Sequence, residues 1–412
     1  MSPTEAPPPV RAFALLKRGP FARYMGGEAI SMLGTWMQQM AQGWVLASLT
    51  TSAFALGLVN FASGLPMILL TMWGGAVADR YDKRLVIITT LVVQSALAVA
   101  IGWLVGSGHI AIWHIVVAGV LWGVAAAFEV PAAAAIVPEL VEKHEMSAAI
   151  AIDRSVFHAT RLAGPALGGW LIGALGTSAA FYANALSFSA LVLALLTIHP
   201  RVQNHAADEE QRSSGMKEGL AHVRGDRLSL VMVLLLALST LFISPFFMIL
   251  MPLYSMHILH LGPAEHGILL GASGLGALTG SLALLSIPSA RRVLAIRIAV
   301  TVVALAMVGL GMAQGLASAL VSIVILTIGS STMFGLTNTI VQERAPDAIR
   351  GRVSAVISLS FFGVLPFSGL IMSKVADLIG MRTALLWACI TYGILALILL
   401  SRAERSGPVR GE

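Results

Sequence analysis

Apolar runs near 20 residues recur along nearly the whole chain and are separated by short polar turns. Each run is long enough to cross about 30 Å of hydrocarbon as a helix. The pattern predicts helices over 22–48, 54–78, 84–106, 110–137, 148–174 and 178–198, then 228–257, 264–287, 292–313, 316–342, 352–376 and 382–401. The ten-residue alternating segments that mark a membrane barrel do not occur, so helices are the structure that satisfies the backbone in lipid. With 57% hydrophobic and 11% charged positions, the chain falls outside the composition of soluble domains. The expected fold class is an all-α membrane protein of twelve transmembrane helices.

The positions of the charges orient these helices. Arg80, Lys83, Arg84, Lys143, Arg201, Arg224, Arg292, Arg344, Arg350 and Arg402 fall at ends or loops on one side, whereas the other side has only Lys374 and Arg382. An excess of Lys and Arg marks the cytoplasmic face, which places both termini inside. The proline-rich stretch Met1–Pro20 has no small-residue cleavage site after the first apolar run, so it is expected to be a cytoplasmic tail and not a removed signal peptide. A net charge of +6 spread over short loops forms no basic face, and no nucleic-acid partner is expected. Cys389 is the single cysteine, which excludes an intrachain disulfide or thiolate metal cluster. No metal and no cofactor are expected.

The one long polar stretch, His199 to Arg227, includes an amphipathic piece around Met216 to Val223 and divides the chain nearly in half. The halves resemble each other. Gly57-Leu-Val-Asn-Phe-Ala-Ser-Gly-Leu65 matches Gly267-Ile-Leu-Leu-Gly-Ala-Ser-Gly-Leu275, Ile136-Val137 echoes Ile340-Val341, and Pro165-Ala-Leu-Gly168 echoes Pro366-Phe-Ser-Gly369. An offset of roughly 200 to 210 residues makes this one six-helix unit occurring twice in parallel, as in secondary transporters whose substrate site lies between rocking halves. The expected organisation is a bundle with its tail over 1–198, a cytoplasmic linker over 199–227 and a second bundle over 228–412, the two bundles being pseudo-symmetric.

Between the second and third spans stands Gly74-Gly75-Ala-Val-Ala-Asp79-Arg80-Tyr-Asp82-Lys83-Arg84. A glycine four residues before an Asp permits close helix approach, and Asp79 can accept from the exposed amides of a helix N-terminus. Such an arrangement is a releasable latch, and a solvated turn with topogenic charges is the plainer alternative. This segment resembles the signature loop of the major facilitator superfamily. The resemblance implies that fold, and gating roles for Gly75, Asp79, Arg80, Lys83 and Arg84. Asp82 stands where that family usually has a glycine, and the corresponding loop of the second half, Ser286-Ile-Pro-Ser-Ala-Arg-Arg292, lacks the Asp. Any latch is therefore one-sided.

Gly164-Pro165-Ala-Leu-Gly168-Gly169 is similar to the core of the family's antiporter motif, although the glycines that usually precede it are absent. A Gly-Pro step bends a helix and a Gly pair permits tight packing, so these four residues are candidates for a pivot, against ordinary small-residue packing. Ile30-Ser-Met-Leu-Gly-Thr-Trp-Met37, Val137-Pro-Glu-Leu140 and Pro346-Asp-Ala-Ile-Arg-Gly-Arg-Val353 extend the resemblance to the bacterial enterobactin-exporter branch, which contains siderophore and drug exporters. It implies export as the direction of transport; the protein is expected to be a multi-pass monomer of the bacterial inner membrane whose small-molecule substrate is exchanged for protons. An importer, or a flippase of lysophospholipid-like amphiphiles, shares the architecture.

Ionisable groups within a membrane span are functional candidates by default. In the first span Glu28, Ser31, Thr35, Gln38 and Gln42 recur at spacings of three and four, a face that lines a cavity or another helix. Glu129 lies in the fourth span, and Arg154, His158 and Arg161 form one face of the fifth. With the intervening turn centred near Glu142, Glu129 is expected to pair with Arg154. Such a pair neutralises two buried charges, or couples substrate binding to proton exchange. Glu28, Glu129, Arg154 and Arg161 are thus the proton-coupling candidates, and Ser31, Thr35, Gln38, Gln42, His158 and Asn338 the cavity candidates. The basic face of the fifth span suits an anionic or acidic-phenolic cargo if it stays unpaired. Trp36, Trp44, Phe61, Trp122 and Phe334 offer stacking surfaces, with packing as the commoner role. A phosphate-cradling Gly-x-x-x-x-Gly-Lys loop is absent, which excludes an ATP-driven pump, and no HExxH or GxSxG motif supports a membrane-embedded enzyme.

Overall fold

The computed structural model describes residues 15–17, 19–198 and 209–404. Most of the predicted tail, residues 1–14 and 18, and the first part of the predicted linker, 199–208, lie outside the described residues. The first six spans are α1 (Gly19–Leu49), α2 (Ala53–Arg80), α3 (Lys83–Gly106), α4 (Ile112–Leu140), α5 (Met146–Leu175) and α6 (Thr177–Leu196). The linker supplies α7 (Glu209–Gly225). There follow α8 (Arg227–Phe242), α9 (Pro263–Ala283), α10 (Arg292–Gly311), α11 (Leu316–Arg344), α12 (Arg350–Ser358), α13 (Leu365–Ile379) and α14 (Met381–Glu404).

Two predicted spans are not continuous. The expected helix over 228–257 breaks after α8 into the short pieces Ser244–Met248 and Met251–Leu253 and a π-turn over Tyr254–Ile258. Pro245 and Pro252 cause this, since each removes a donor from the ladder. The expected helix over 352–376 is α12 and α13 joined by a second π-turn at Leu359–Gly363, just before Pro366.

Among the described residues nine helices are long and apolar enough to cross a membrane alone, or ten if the bent pair Lys217–Gly225 and Arg227–Phe242 is one span. The 31-residue α1 and the 30-residue α5 are not among them. Length is not their deficit. These two helices carry the polar faces seen in the sequence, and a helix that must cross lipid with such a face has to turn it inward.

By contact the chain divides into two units, residues 1–42 with 65–205 and residues 43–64 with 206–412. The repeat assigns the end of α1 and the start of α2 to the first half, whereas packing assigns them to the second unit. In the first unit Phe21, Tyr24 and Met25 of α1 meet Ile87 and Leu91 of α3, Ile136 of α4 and Leu191 of α6 in one buried cluster. Small residues set how near the helices come. A methyl group added to Gly27 would lie 2.9 Å from the Leu191 backbone, and one on Gly34 would strike Ser187. In the second unit Gly276 of α9 presses on Val324 of α11, and Gly43 and Gly64 lie against Pro252 and Pro366.

The two units share a turn. Gly176 between α5 and α6 and Gly380 between α13 and α14 both have φ of 85°. They lie roughly 200 residues apart, the offset of the sequence repeat, and each is the single residue joining its two helices. Only glycine adopts this left-handed conformation without strain.

Candidate transport site

The polar stripe of α1 splits once it is folded. Ser31 and Gln38 are buried against α6, where Gln38 Oε1 accepts from Asn184 Nδ2 at 2.8 Å and Ser187 Oγ donates to Asn184 Oδ1 at 3.0 Å. Thr35 Oγ1 donates to the carbonyl of Ser31 one turn back. Ser31 and Gln38 are thus taken up by helix packing, a fate invisible without Asn184. Glu28, Thr35 and Gln42, seven residues apart, stay partly accessible on the other edge of the stripe.

Glu28 lies within electrostatic range of Glu129 and Asp153, and all three act on Tyr24. Glu129 does not pair with Arg154. Its Oε2 accepts instead from Gln94 Nε2 of α3, the helix packed beside α4, and neither Arg154 nor Arg161 forms an ion pair among the described residues. The expected register took α4 and α5 as an antiparallel pair through a tight turn, but a 3₁₀ turn at Lys143–Glu145 intervenes and Glu129 faces α3. A single bonded glutamine leaves the carboxyl without a counter-charge, whereas an arginine would have fixed it as a carboxylate.

On the basic face of α5, Arg154 lies within electrostatic range of Asp153. The Arg161 guanidinium lies 5.8 Å from the centre of the Trp36 ring, and Phe157 meets the same indole edge-on at 5.8 Å. His158 is electrostatically close to Arg161 and Arg154. The antiporter-like glycines explain how α5 comes so near α1. A methyl on Gly164 would strike Trp36, one on Gly168 would lie 3.1 Å from the Met37 backbone, and Pro165 and Gly169 are buried beside them. Phe334 packs edge-to-face on Phe361, Trp44 on His266 and Phe61 on Phe367, so these aromatics have partners in the second unit.

At the loop between α2 and α3 Asp82 caps α3, accepting from the Arg84 amide at 2.9 Å. Lys83 Nζ bonds Glu139 Oε1 at 2.6 Å, and the Arg84 guanidinium donates to the Ile198 carbonyl. Asp79 and Arg80 close α2. The close helix approach belongs to Gly74, whose added methyl would strike the Ala127 carbonyl of α4, whereas within this unit Gly75 has open space.

In the second unit, acids sit at helix ends. Asp226 caps α8 and receives two bonds from Arg344, from Nε at 2.7 Å and from Nη2 at 2.6 Å. This bidentate bond holds its carboxyl well below the usual carboxylate range. Asp377 of α13 accepts from Ser52 Oγ at 2.7 Å, Ala53 N at 2.6 Å and Phe54 N at 3.0 Å, and so caps the start of α2. Lys374 lies over the Phe54 ring at 5.5 Å, and His257 Nε2 bonds the Ala47 carbonyl near the end of α1 at 2.8 Å. The hairpin between α1 and α2 is therefore held at both helix ends, which no local motif announced. Asn338 and Gln342 of α11 bond each other at 2.8 Å, and Gln342 also reaches Ser354 at 3.1 Å.

An all-helical chain with nine or ten apolar spans among its described residues, matched over nearly its whole length by one transporter family, is a transporter of the major facilitator superfamily, and not an enzyme. Within that superfamily the chain belongs to the transmembrane secretion effector family, which matches residues 10–406. It is 26% identical over 373 residues to the staphyloferrin A transporter of Staphylococcus aureus, covering 87% of this chain and 89% of that protein. It is 25% identical over 384 residues to the multidrug efflux pump Tap of Mycobacterium tuberculosis, covering 90% of each. The fold also matches the nucleoside transporter NupG with a TM-score of 0.73 at 13% identity, over 95% of this chain and 100% of that one. The protein is accordingly a multi-pass membrane transporter of small molecules.

Proposed function

We propose that the protein exports a small amphiphilic molecule, of the siderophore or drug class, by proton antiport with alternating access. The observation that carries this reading is the pair Glu28 and Glu129, two carboxyls inside the spans, within electrostatic range of each other and without a cationic partner. A carboxyl in that setting changes protonation when cargo or water changes its surroundings, which is what coupling requires. Relatives named for efflux and for a siderophore support the direction and the class. Alternating access further requires the hairpin bonds at Asp377 and His257 to break and remake, and the cytoplasmic loop around Asp79 to do the same in opposite phase. The positive-inside pattern supports cytoplasmic termini, and the working unit is read as a monomer in the bacterial inner membrane.

The test uses proteoliposomes with an imposed pH gradient and a panel of fluorescent drugs and iron-free siderophores. A gradient-driven flux that vanishes in Glu28→Gln with Glu129→Gln, while gradient-free exchange of cargo persists, is the expected result. Flux indifferent to the gradient in the unaltered protein would remove proton coupling.

A further inference from the structure

We propose that the face of α5 bearing Phe157, His158 and Arg161, together with Trp36 of α1, is the binding site for an anionic group carried on a flat, conjugated cargo. The inference rests on the reading that the polar faces of α1 and α5 line the cargo path, and adds to it the charge and shape of what is carried.

Arg161 is fifteen residues into α5, so at 1.5 Å per residue it lies roughly 22 Å along the helix, near the middle of the bilayer. A guanidinium there is costly unless something answers its charge. Among the described residues no carboxylate does so, and Trp36 supplies only its ring face. Arg154 has Asp153 within electrostatic range, which leaves Arg161 as the arginine of this face with no carboxylate partner among the described residues. Glu129 is bonded by Gln94, and neither Glu129 nor Glu28 forms an ion pair with Arg161 among the described residues.

The surroundings describe the ligand. Guanidinium binds a carboxylate or a deprotonated catechol through two parallel bonds. Trp36 and Phe157, held edge to face, present an aromatic corner against which a planar group stacks. Close packing at Gly164 and Gly168 fixes the corner, since α5 cannot slide along α1 without collision. A cationic cargo would meet Arg161 and Arg154 as like charges, and is selected against.

Binding of radiolabelled salicylate to the purified full-length protein in detergent tests this, with salicylamide, citrate and rhodamine 6G as competitors. Salicylate is expected to bind saturably. Salicylamide, its neutral counterpart, should compete at least tenfold more weakly, and rhodamine 6G should not compete at this site. Arg161→Gln should weaken salicylate at least tenfold, Arg161→Lys should restore part of the affinity, and Trp36→Ala should weaken salicylate more than citrate. Equal competition by salicylamide, unchanged affinity in a folded Arg161→Gln, or no saturable salicylate binding would overturn the proposal. If Arg161→Gln does not fold, the competitor series and Arg161→Lys decide. The assay needs no gradient, so proton-driven export can fail while anion binding stands, and the reverse.

Discussion

The two units put their charges to different uses. The first keeps ionisable groups inside the spans, with Glu28, Glu129, Asp153 and Arg161 on α1, α4 and α5. The second keeps its bonded carboxylates at helix ends, where Asp226 caps α8 and Asp377 caps α2. A duplicated fold has thus divided its labour. Ionisable groups inside the spans gather in one unit, and groups that fasten helix ends gather in the other.

The contrast breaks most visibly if the first unit's acids are dispensable. Glu28→Gln with Glu129→Gln should lower gradient-driven flux by more than tenfold, with the spans still folded by circular dichroism. The next largest effect is steric. Gly74→Ala should destabilise by about 1–3 kcal/mol through overpacking on Ala127, whereas Gly75→Ala should change stability by less than about 0.5 kcal/mol. Thermal unfolding in detergent compares the two.

At the helix ends of the second unit the effects are smaller. Asp226→Asn should cost about 1–2 kcal/mol, a partly exposed bidentate pair being worth less than a buried one. Since Arg344 depresses the Asp226 carboxyl, its contribution is complete above the ordinary carboxylate range. It is lost as pH falls through the lower, folded-state value. The unaltered protein should therefore lose more stability than Asp226→Asn between pH 5 and strongly acidic conditions, that is, below about pH 4. Asp377→Ala removes a cap worth about 1 kcal/mol, roughly a fivefold shift in how often the hairpin opens. Impermeant maleimide labelling of Leu49→Cys, in a Cys389→Ser background, should quicken accordingly. Unchanged labelling would show that Asp377 fastens nothing.

The spans themselves were legible because apolar length is a local property: 84–106 was expected and Lys83–Gly106 is found. Pro245, Pro252 and Pro366 mark the breaks at 243–250 and 359–363, but these segments are as apolar as the unbroken spans, so composition alone does not separate them. What sequence could not give was partnership. Gln94 is 35 residues from Glu129, and Asp377 is 324 residues from Ala53. Nothing in the spacing of a single helix says which edge of a polar stripe meets a neighbour. The stripe on α1 therefore read as one face, and Asn184 divided it in two. The faces themselves were visible in advance, and α1 and α5 are the helices too polar to count as spans on composition alone.

The single-residue turns at Gly176 and Gly380 bear on how such a molecule can be engineered. With one residue between helices, α5 with α6 and α13 with α14 behave as stiff forks whose prongs have no slack at the base. A tag or epitope spliced into either turn has no loop to lengthen, and would lever the prongs apart instead of hanging free. The same stiffness makes each fork a suitable carrier for paired distance probes. A label on one prong reports the motion of both.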